Sequence, residues 1–453
     1  MLARNEKTSS QFTARGLIAA LLPLAVGAAL AAKPLPVQAD DGMTQEARYL
    51  EKLYLYFHQN PELSFRETES AKRVAKELKA VGYEVSTGVG GNGVVAVLKN
   101  GSGPTLLLRA DMDALPVVEN TGLPYASKVT SKNDAGQTVG VMHACGHDIH
   151  MTALVGAARE LKARQKEWQG TLVLVGQPAE EVSGGARAML KAGLYDKFPK
   201  PDYAVALHTS ASHPAGSVAY SIGPALASVD NVDITIRGVG GHGAYPHKTK
   251  DPIVLAAQVV LALQTIVSRE IDPREPAVIT VGSIHGGAKA NIISEEVKMA
   301  LTVRSYSPTV RELMLKSIER IVTGTALAAG MPADAMPDVR VRDEYTPSTW
   351  NEPKLTEHLV AVFGKALGAD HVLATEPVMA GEDFSMYGQT ADKIPSTIFW
   401  VGGVDPMVYE KSLRGEVTLP ALHSPEFAPV PAPTLRTGVK ALVAAALDLL
   451  PVK

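Results

Sequence analysis

The sequence predicts an α/β protein, because short β-rich runs alternate with helical ones and acidic residues and histidines gather where those runs end. Helix is expected at 50–57 and at 67–80, the second with Ala71, Val74, Ala75 and Leu78 on one side. Strands are expected at 105–109, 171–175 and 203–207, and between two of them Met151, Leu154, Val155, Ala158 and Leu161 repeat at helical spacing as a core-facing stripe. That alternation is the one a parallel sheet covered on both faces requires. A separate module runs from 228 to 341. Val232, Ile234 and Ile236 alternate as in a strand, and 252–267 is a long apolar helix with Pro252 near its start. Strands at 278–284 and 297–303, a helix at 308–329 and a strand at 339–341 follow. The order β-α-β-β-α-β is the split ferredoxin-like pattern. Helix returns at 352–367, so 40–227 and 342–453 make one domain and 228–341 is inserted into it.

Composition sets the outer bounds. A chain of 453 residues exceeds what one core normally supports, which favours two domains. With 46% hydrophobic and 20% charged residues it is globular, and a formal net charge of -3 provides no basic footprint for nucleic acid. Residues 1–39 differ from the rest. Arg4, Lys7 and Arg15 precede an apolar run at 16–32, and Val37-Gln38-Ala39 is a small-residue cleavage site, so a signal peptide and an exported protein, periplasmic or secreted, are expected. An uncleaved anchor is the alternative, since the apolar run sits at the lower limit for spanning. No other stretch reads as membrane-spanning, so no membrane partner is expected after cleavage. Cys145 is the only cysteine, which rules out an intramolecular disulfide.

Five metal-type side chains fall near the ends of the expected strands: Cys145 and His147 in HACGHDIH, Glu181 in GQPAEE, His208 in ALHT and His423 in ALHSPEF. One thiolate, one carboxylate and three imidazoles suit soft and borderline divalent metals. Asp111 and Asp113 follow the first strand, Glu180 and Glu181 the second and His208 the third, where an open α/β sheet gathers its ligands. Glu180 is a spare carboxylate able to act on a metal-bound water. Because it adjoins Glu181, only an irregular loop lets the two face different ways, and Pro178 favours one. These residues read as a metallohydrolase.

Six motifs in order resemble the M20 metallopeptidases, and within them the amidohydrolases of N-acyl-amino acids, hippurate and auxin conjugates. They are RADMDALP at 109–116, HACGHD at 143–148, GQPAEE at 176–181, GGHGAYPH at 240–247, GEDF at 381–384 and HSPEF at 423–427. The resemblance implies a zinc-peptidase-like catalytic domain with an inserted lid or dimerisation domain, and a homodimer. It implies two divalent cations, manganese or zinc, on Cys145, His147, Glu181, His208 and His423, with Cys145 near the bridging position. It makes Glu180 the general base, and Asp113 the carboxylate that takes the second N–H of a ligating imidazole. It gives His242, flanked by glycines, the oxyanion of the reacting carbonyl, often in the partner subunit. Asn291 in KANIISEE and Arg304 in LTVRS match positions that hold a substrate carboxylate. At the first of these the chain has Asn-Ile-Ile-Ser where the family usually shows Asn-x-Ile-Pro.

The expected activity is therefore cleavage of N-acyl-L-amino acids to a carboxylic acid and a free amino acid. An exopeptidase or dipeptidase on short peptides is the alternative among enzymes, and a periplasmic metal- or peptide-binding protein the alternative outside them. His143, His150, His213, His247 and His285 are expected to be structural or exposed, and His58 to lie on a helix surface.

Overall fold

A computed structural model describes residues 44–452. The expected signal peptide at 1–39 lies outside the described residues. Each expected helix forms within a few residues of its reading, and the starts have local causes. At Asp251, Ser307 and Glu352 a side-chain oxygen accepts backbone N–H bonds from the first turn and a proline follows at once, opening Pro252–Thr265, Pro308–Ala328 and Pro353–Leu367.

The main sheet has eight strands. Their spatial order is Glu84–Val89, Gly93–Asn100, Gly170–Gln177, Thr105–Asp111, Tyr203–Pro214, Ser396–Val404, Val218–Tyr220 and Val372–Ala374. Here the expectation of a parallel sheet needs correction: the sheet is mixed. Gly170–Gln177, Thr105–Asp111, Tyr203–Pro214 and Ser396–Val404 run parallel side by side, whereas Gly93–Asn100 pairs antiparallel with both of its neighbours. The tight connection from Val89 to Gly93 is too short for a crossover, so a hairpin is the only way those two strands can pair. The central strands are buried on both faces, Thr105–Asp111 almost end to end. One apolar cluster joins Phe57, Val74, Leu154, Leu207 and Leu442 on one face, and another joins Val175, Met189, Phe384 and Trp400 on the other.

The segment from Ser228 to Val341 forms a second, antiparallel sheet. Its strand order is Ala277–Gly286, Glu296–Ser305, Ser228–Arg237, Asp338–Val341, and the helices Pro252–Thr265 and Pro308–Ala328 pack on it. Burial alternates residue by residue along Ser228–Arg237, as a half-covered sheet demands. The helical stretch Pro252–Glu270, 19 residues, is long and apolar enough to cross a membrane by length and composition, which the reading of the sequence did not pick out. Part of its apolarity belongs to the core: Leu255, Ala256, Val259, Leu263 and Ile266 face the second sheet. Ile253, Val254 and Leu261 stay exposed.

Candidate functional site

The parallel strands of the main sheet end together, and four segments meet beyond them. Thr105–Asp111 leads into Asp111 and Asp113, Gly170–Gln177 into the turn carrying Glu180 and Glu181, and Tyr203–Pro214 carries His208. The fourth is the start of the helix His147–Ala163, immediately after Cys145. Gly146 joins those two with φ +83°, and a Cβ there would sit 2.8 Å from Thr209, so only glycine lets the thiol and the imidazole diverge so closely. Ala179 and His423 hold φ of 52° and 69°, a conformation that costs non-glycine residues about 1–3 kcal/mol and persists where surrounding contacts impose it.

The five expected metal-type residues converge. Ligand atoms of Cys145, His147 and His208 lie within 4.8 Å of one another, as do those of Cys145, Glu181 and His423 and those of His147, Glu180 and Glu181. Cys145 Sγ is 3.5 Å from His208 Nε2 and 3.3 Å from His423 Nε2. His423 Nε2 is 3.5 Å from Glu181 Oε2. Two imidazoles are fixed by their other nitrogen: His208 Nδ1 donates to the Thr209 carbonyl at 2.7 Å and His147 Nδ1 to the Asp113 carbonyl at 2.8 Å. Both leave Nε2 free for a metal.

A divalent cation fits this set. Among the described residues His147 Nε2 is buried without a hydrogen-bond partner, and so is Glu181 Oε1. Around that nitrogen stand Asp111 Oδ2 at 3.6 Å, Glu181 Oε1 at 3.9 Å and Glu180 Oε2 at 4.0 Å. Those gaps are too long for hydrogen bonds and match two ligands that each reach one ion at about 2.0–2.2 Å. Charge points the same way. Burial pushes the Cys145 thiol well up, and Glu181, Glu180 and Asp111 add to it. Burial pushes Glu181 up to about 8 and Glu180 well above the usual carboxylate range, the latter with Glu382 and Glu181 adding. For His147 burial disfavours the charge, yet Asp111 and Asp113 hold its pKa at about 10. A surplus of negative groups that retains a proton this firmly offers the same stabilisation to a dication.

Asp113 does more than expected, and differently. The carbonyl of Asp113, and not its carboxylate, is the near partner of His147, whose Nδ1 is 3.4 Å from the carboxylate. The carboxylate instead accepts the N–H of Glu180 and of Glu181, each at 3.0 Å, and the Ser64 hydroxyl at 2.6 Å.

The remaining expected residues divide. A cavity of about 640 Å³ is lined by Cys145, Glu180, Glu181, His208 and His423 on one side and by Val229, Asn231, Thr302 and Arg304 of the second sheet on the other. Arg304 donates to the Met379 carbonyl at 2.9 Å. His242 and Asn291 are exposed and adjacent, joined by the His242–Ile292 strand pair and the bond from Gly243 N to Asn291 O, but among the described residues neither lines that cavity.

Reading by residue type missed the floor of the site. Arg109, fully buried, pairs with Asp111 at 2.7 Å, Glu382 at 2.8 Å and Asp383 at 3.1 Å, and its Nε donates to Gln177 at 2.9 Å. Atoms of Glu180, Glu382 and Asp383 lie within 4.8 Å of one another, so the network reaches the spare carboxylate. The available signal was that RADMDALP and GQPAEE carry charge into buried strand ends and GEDF carries it into a buried turn. His58 corrects a second reading. It is buried, with Nδ1 2.7 Å from Asp148 and Nε2 3.2 Å from Glu119. His150, also buried, bonds Asp111 and accepts from Thr209 N, while His143 is buried with neither ring nitrogen partnered among the described residues.

Comparison with known proteins identifies the group. Residues 107–414 match peptidase family M20/M25/M40. The chain belongs to the M20 peptidase family. It is 39% identical over 349 residues to thermostable carboxypeptidase 1 of Saccharolobus solfataricus, covering 76% of this chain and 83% of that one. To hippurate hydrolase of Campylobacter jejuni it is 39% identical over 340 residues, 74% of this chain and 84% of that one. A solved Bacillus subtilis structure, described as a dinuclear metal binding peptidase from the M20 family, aligns with a TM-score of 0.71 at 28% identity over 89% of this chain and 98% of that one. This M20 protein is a metal-dependent amidohydrolase.

Proposed function

We propose that the protein hydrolyses the amide of N-acyl-L-amino acids with two divalent cations, manganese or zinc, held by Cys145, His147, Glu181, His208 and His423. One observation carries the reading: the cavity that exposes four of those five side chains and Glu180 also presents the Arg304 guanidinium opposite them. A substrate with one carboxylate and one amide suits such a cavity, with Arg304 binding the carboxylate through paired N–H donors. The apolar side chains of Val182, Leu226, Val378, Trp400 and Leu422 line the same cavity and suit an uncharged acyl group. The hippurate hydrolase relative supports this substrate class, and the B. subtilis neighbour supports a two-ion site.

When bound, such ions acidify a water and polarise the scissile carbonyl. Glu180 stands nearly buried beside the ligands and takes the proton, then returns it to the leaving amine. Asp113 holds the amides on either side of Glu180, which keeps that carboxylate and Glu181 turned to their separate tasks. His242 donates to the developing oxyanion and Asn291 helps hold the substrate carboxylate, with the second sheet, of ferredoxin-like order, serving as lid and dimerisation unit. Since His242 and Asn291 lie outside the cavity in one chain, closure or a partner subunit must bring them in. A homodimer is supported by the apolar side chains of Ile253, Val254, Leu261 and Ile284, left exposed beside the open edge strand Ala277–Gly286. Export through the N-terminal segment completes the reading.

The test is a panel of N-benzoyl- and N-acetyl-amino acids, the same compounds amidated at the carboxyl group, and dipeptides with a free amine, assayed for released amine with manganese or zinc. N-acyl amino acids should be the fastest substrates. Arg304→Ala should raise KM for them and change it little for the amidated ones. Preference for free dipeptides would turn the reading to an exopeptidase, for which the carboxypeptidase relative stands.

A further inference from the structure

Among the described residues Glu67 is buried with no cationic partner, and every bond it makes there serves to hold backbone or loop. Its Oε1 accepts the Phe65 N–H at 2.7 Å and the Ala179 N–H at 2.8 Å, and its Oε2 accepts from Asn92 at 3.2 Å. Burying a carboxylate without a counter-charge opposes folding by several kcal/mol unless its lone pairs are satisfied. The residues it grips are unusual in turn. Phe65 and Ala179 both have positive φ, 60° and 52°, and neither is glycine. Ala179 directly precedes Glu180, and its carbonyl accepts the N–H of Gly184 and of Gly185, which closes the turn from the other side. The Phe65 ring lies over Gly184, where an added Cβ would meet it at 2.9 Å.

Three successive amides therefore end on two buried carboxylates: Ala179 on Glu67, and Glu180 and Glu181 on Asp113. Ser64 binds Asp113 three residues before Glu67, so one short segment touches both.

We propose that Glu67 is a positioning residue for hydrolysis, holding the Ala179 end of the turn so that the Glu180 carboxylate faces the reacting water while the Glu181 carboxylate faces the metal. This rests on the reading of Glu180 as base. With Glu67 removed, Ala179 relaxes from its positive φ and both carboxylates lose their aim, although substrate still binds through Arg304. The expected signature is a fall in kcat with KM nearly unchanged.

The test uses Glu67→Ala and Glu67→Asp in the full enzyme, saturated with manganese or zinc, with Glu180→Gln in parallel. Glu67→Ala should lose about ten- to a hundredfold in kcat, the range for residues that orient ligands, with weakened metal affinity and both ions present at saturation. Glu67→Asp keeps the charge, but one methylene less prevents it from reaching Phe65 and Ala179 together, so kcat should also fall. It decides the matter if the alanine variant does not fold. Wild-type kcat in either folded, metal-loaded variant overturns the proposal, whatever happens to thermal stability. An inactive Glu180→Gln beside a fully active Glu67→Ala rejects the role of Glu67 alone, whereas an active Glu180→Gln rejects the base assignment beneath it.

Discussion

The two walls of the cavity are finished to different degrees. On the main sheet, most side chains that face the ligand cluster are braced from behind: His147 and His208 by carbonyls, Asp111 by Arg109 and His150, the Glu180–Glu181 turn by Asp113. On the second sheet Val229, Asn231, Thr302 and Arg304 line the cavity, with Arg304 the charged one among them, and the candidate pair His242 and Asn291 is exposed elsewhere. A wall that holds metals must be rigid before substrate arrives, because ligand geometry sets affinity. A wall that closes over substrate has to move, and exposed residues on a short two-residue strand pair can do so.

Glu180→Gln separates chemistry from assembly most sharply. The isosteric amide keeps the shape of the braced wall and removes its proton acceptor, so kcat should fall by at least about a hundredfold with both ions still bound. Metal analysis and turnover on one sample check this; near-wild-type turnover would reject Glu180 as base.

The opposite wall should respond almost as strongly for a different reason. His242→Ala should lower kcat by roughly a hundredfold or more with metal content intact, the size seen when one oxyanion donor is lost. Mixing inactive Glu180→Gln with inactive His242→Ala protein should restore activity if a dimer shares its sites, because one mixed site is then intact. No recovery after verified subunit exchange would mean that the second sheet closes on its own subunit.

Cys145→Ala acts on assembly instead. Losing a direct ligand that contacts both His208 and His423 should weaken metal binding by at least about a hundredfold, beyond the roughly ten- to hundredfold typical of outer partners, with activity returning in part at high metal. Equal reactivity of the thiol with and without metal would remove Cys145 from the ligand set.

The two walls were also unequally legible. The strands at 105, 171 and 203 were readable as short β-rich runs, and the helix at Pro252 from its apolar run and the proline near its start. The cluster was readable because a thiol, imidazoles and carboxylates in such motifs have few other uses, although Cys145 and His147 open a helix and His423 lies in a turn rather than at strand ends. The floor beneath it was not: Arg109 meets Glu382 and Asp383 more than 270 residues away, and no local pattern reports such a meeting. His58 misled for the same reason: a helix histidine reads as exposed by default, and Asp148, 90 residues on, turns its face into interior. The hairpin Glu84–Asn100 was hidden by its glycines, which weaken strand pattern while permitting the turn.

His58 sharpens the comparison by a smaller effect, confined to the braced wall. Burial disfavours its charge, but the bonds to Asp148 and Glu119 raise its pKa to about 9. In the unfolded chain the value is about 6.5, so the group binds its proton more tightly when folded. Its contribution to stability is therefore fully present below about pH 6.5 and is lost as pH rises through about 9. The carboxyls of Asp148 and Glu119 are held below their usual range and Tyr54 well above its own, so none of these partners titrates inside that window. The melting temperature of the wild type should exceed that of His58→Gln most at about pH 6, and the gap should narrow toward about pH 9.5. A gap that stays constant would mean that His58 is neutral when folded. It would then brace Asp148, next to His147, by hydrogen bonding alone, and the metal wall would not depend on a buried charge behind it.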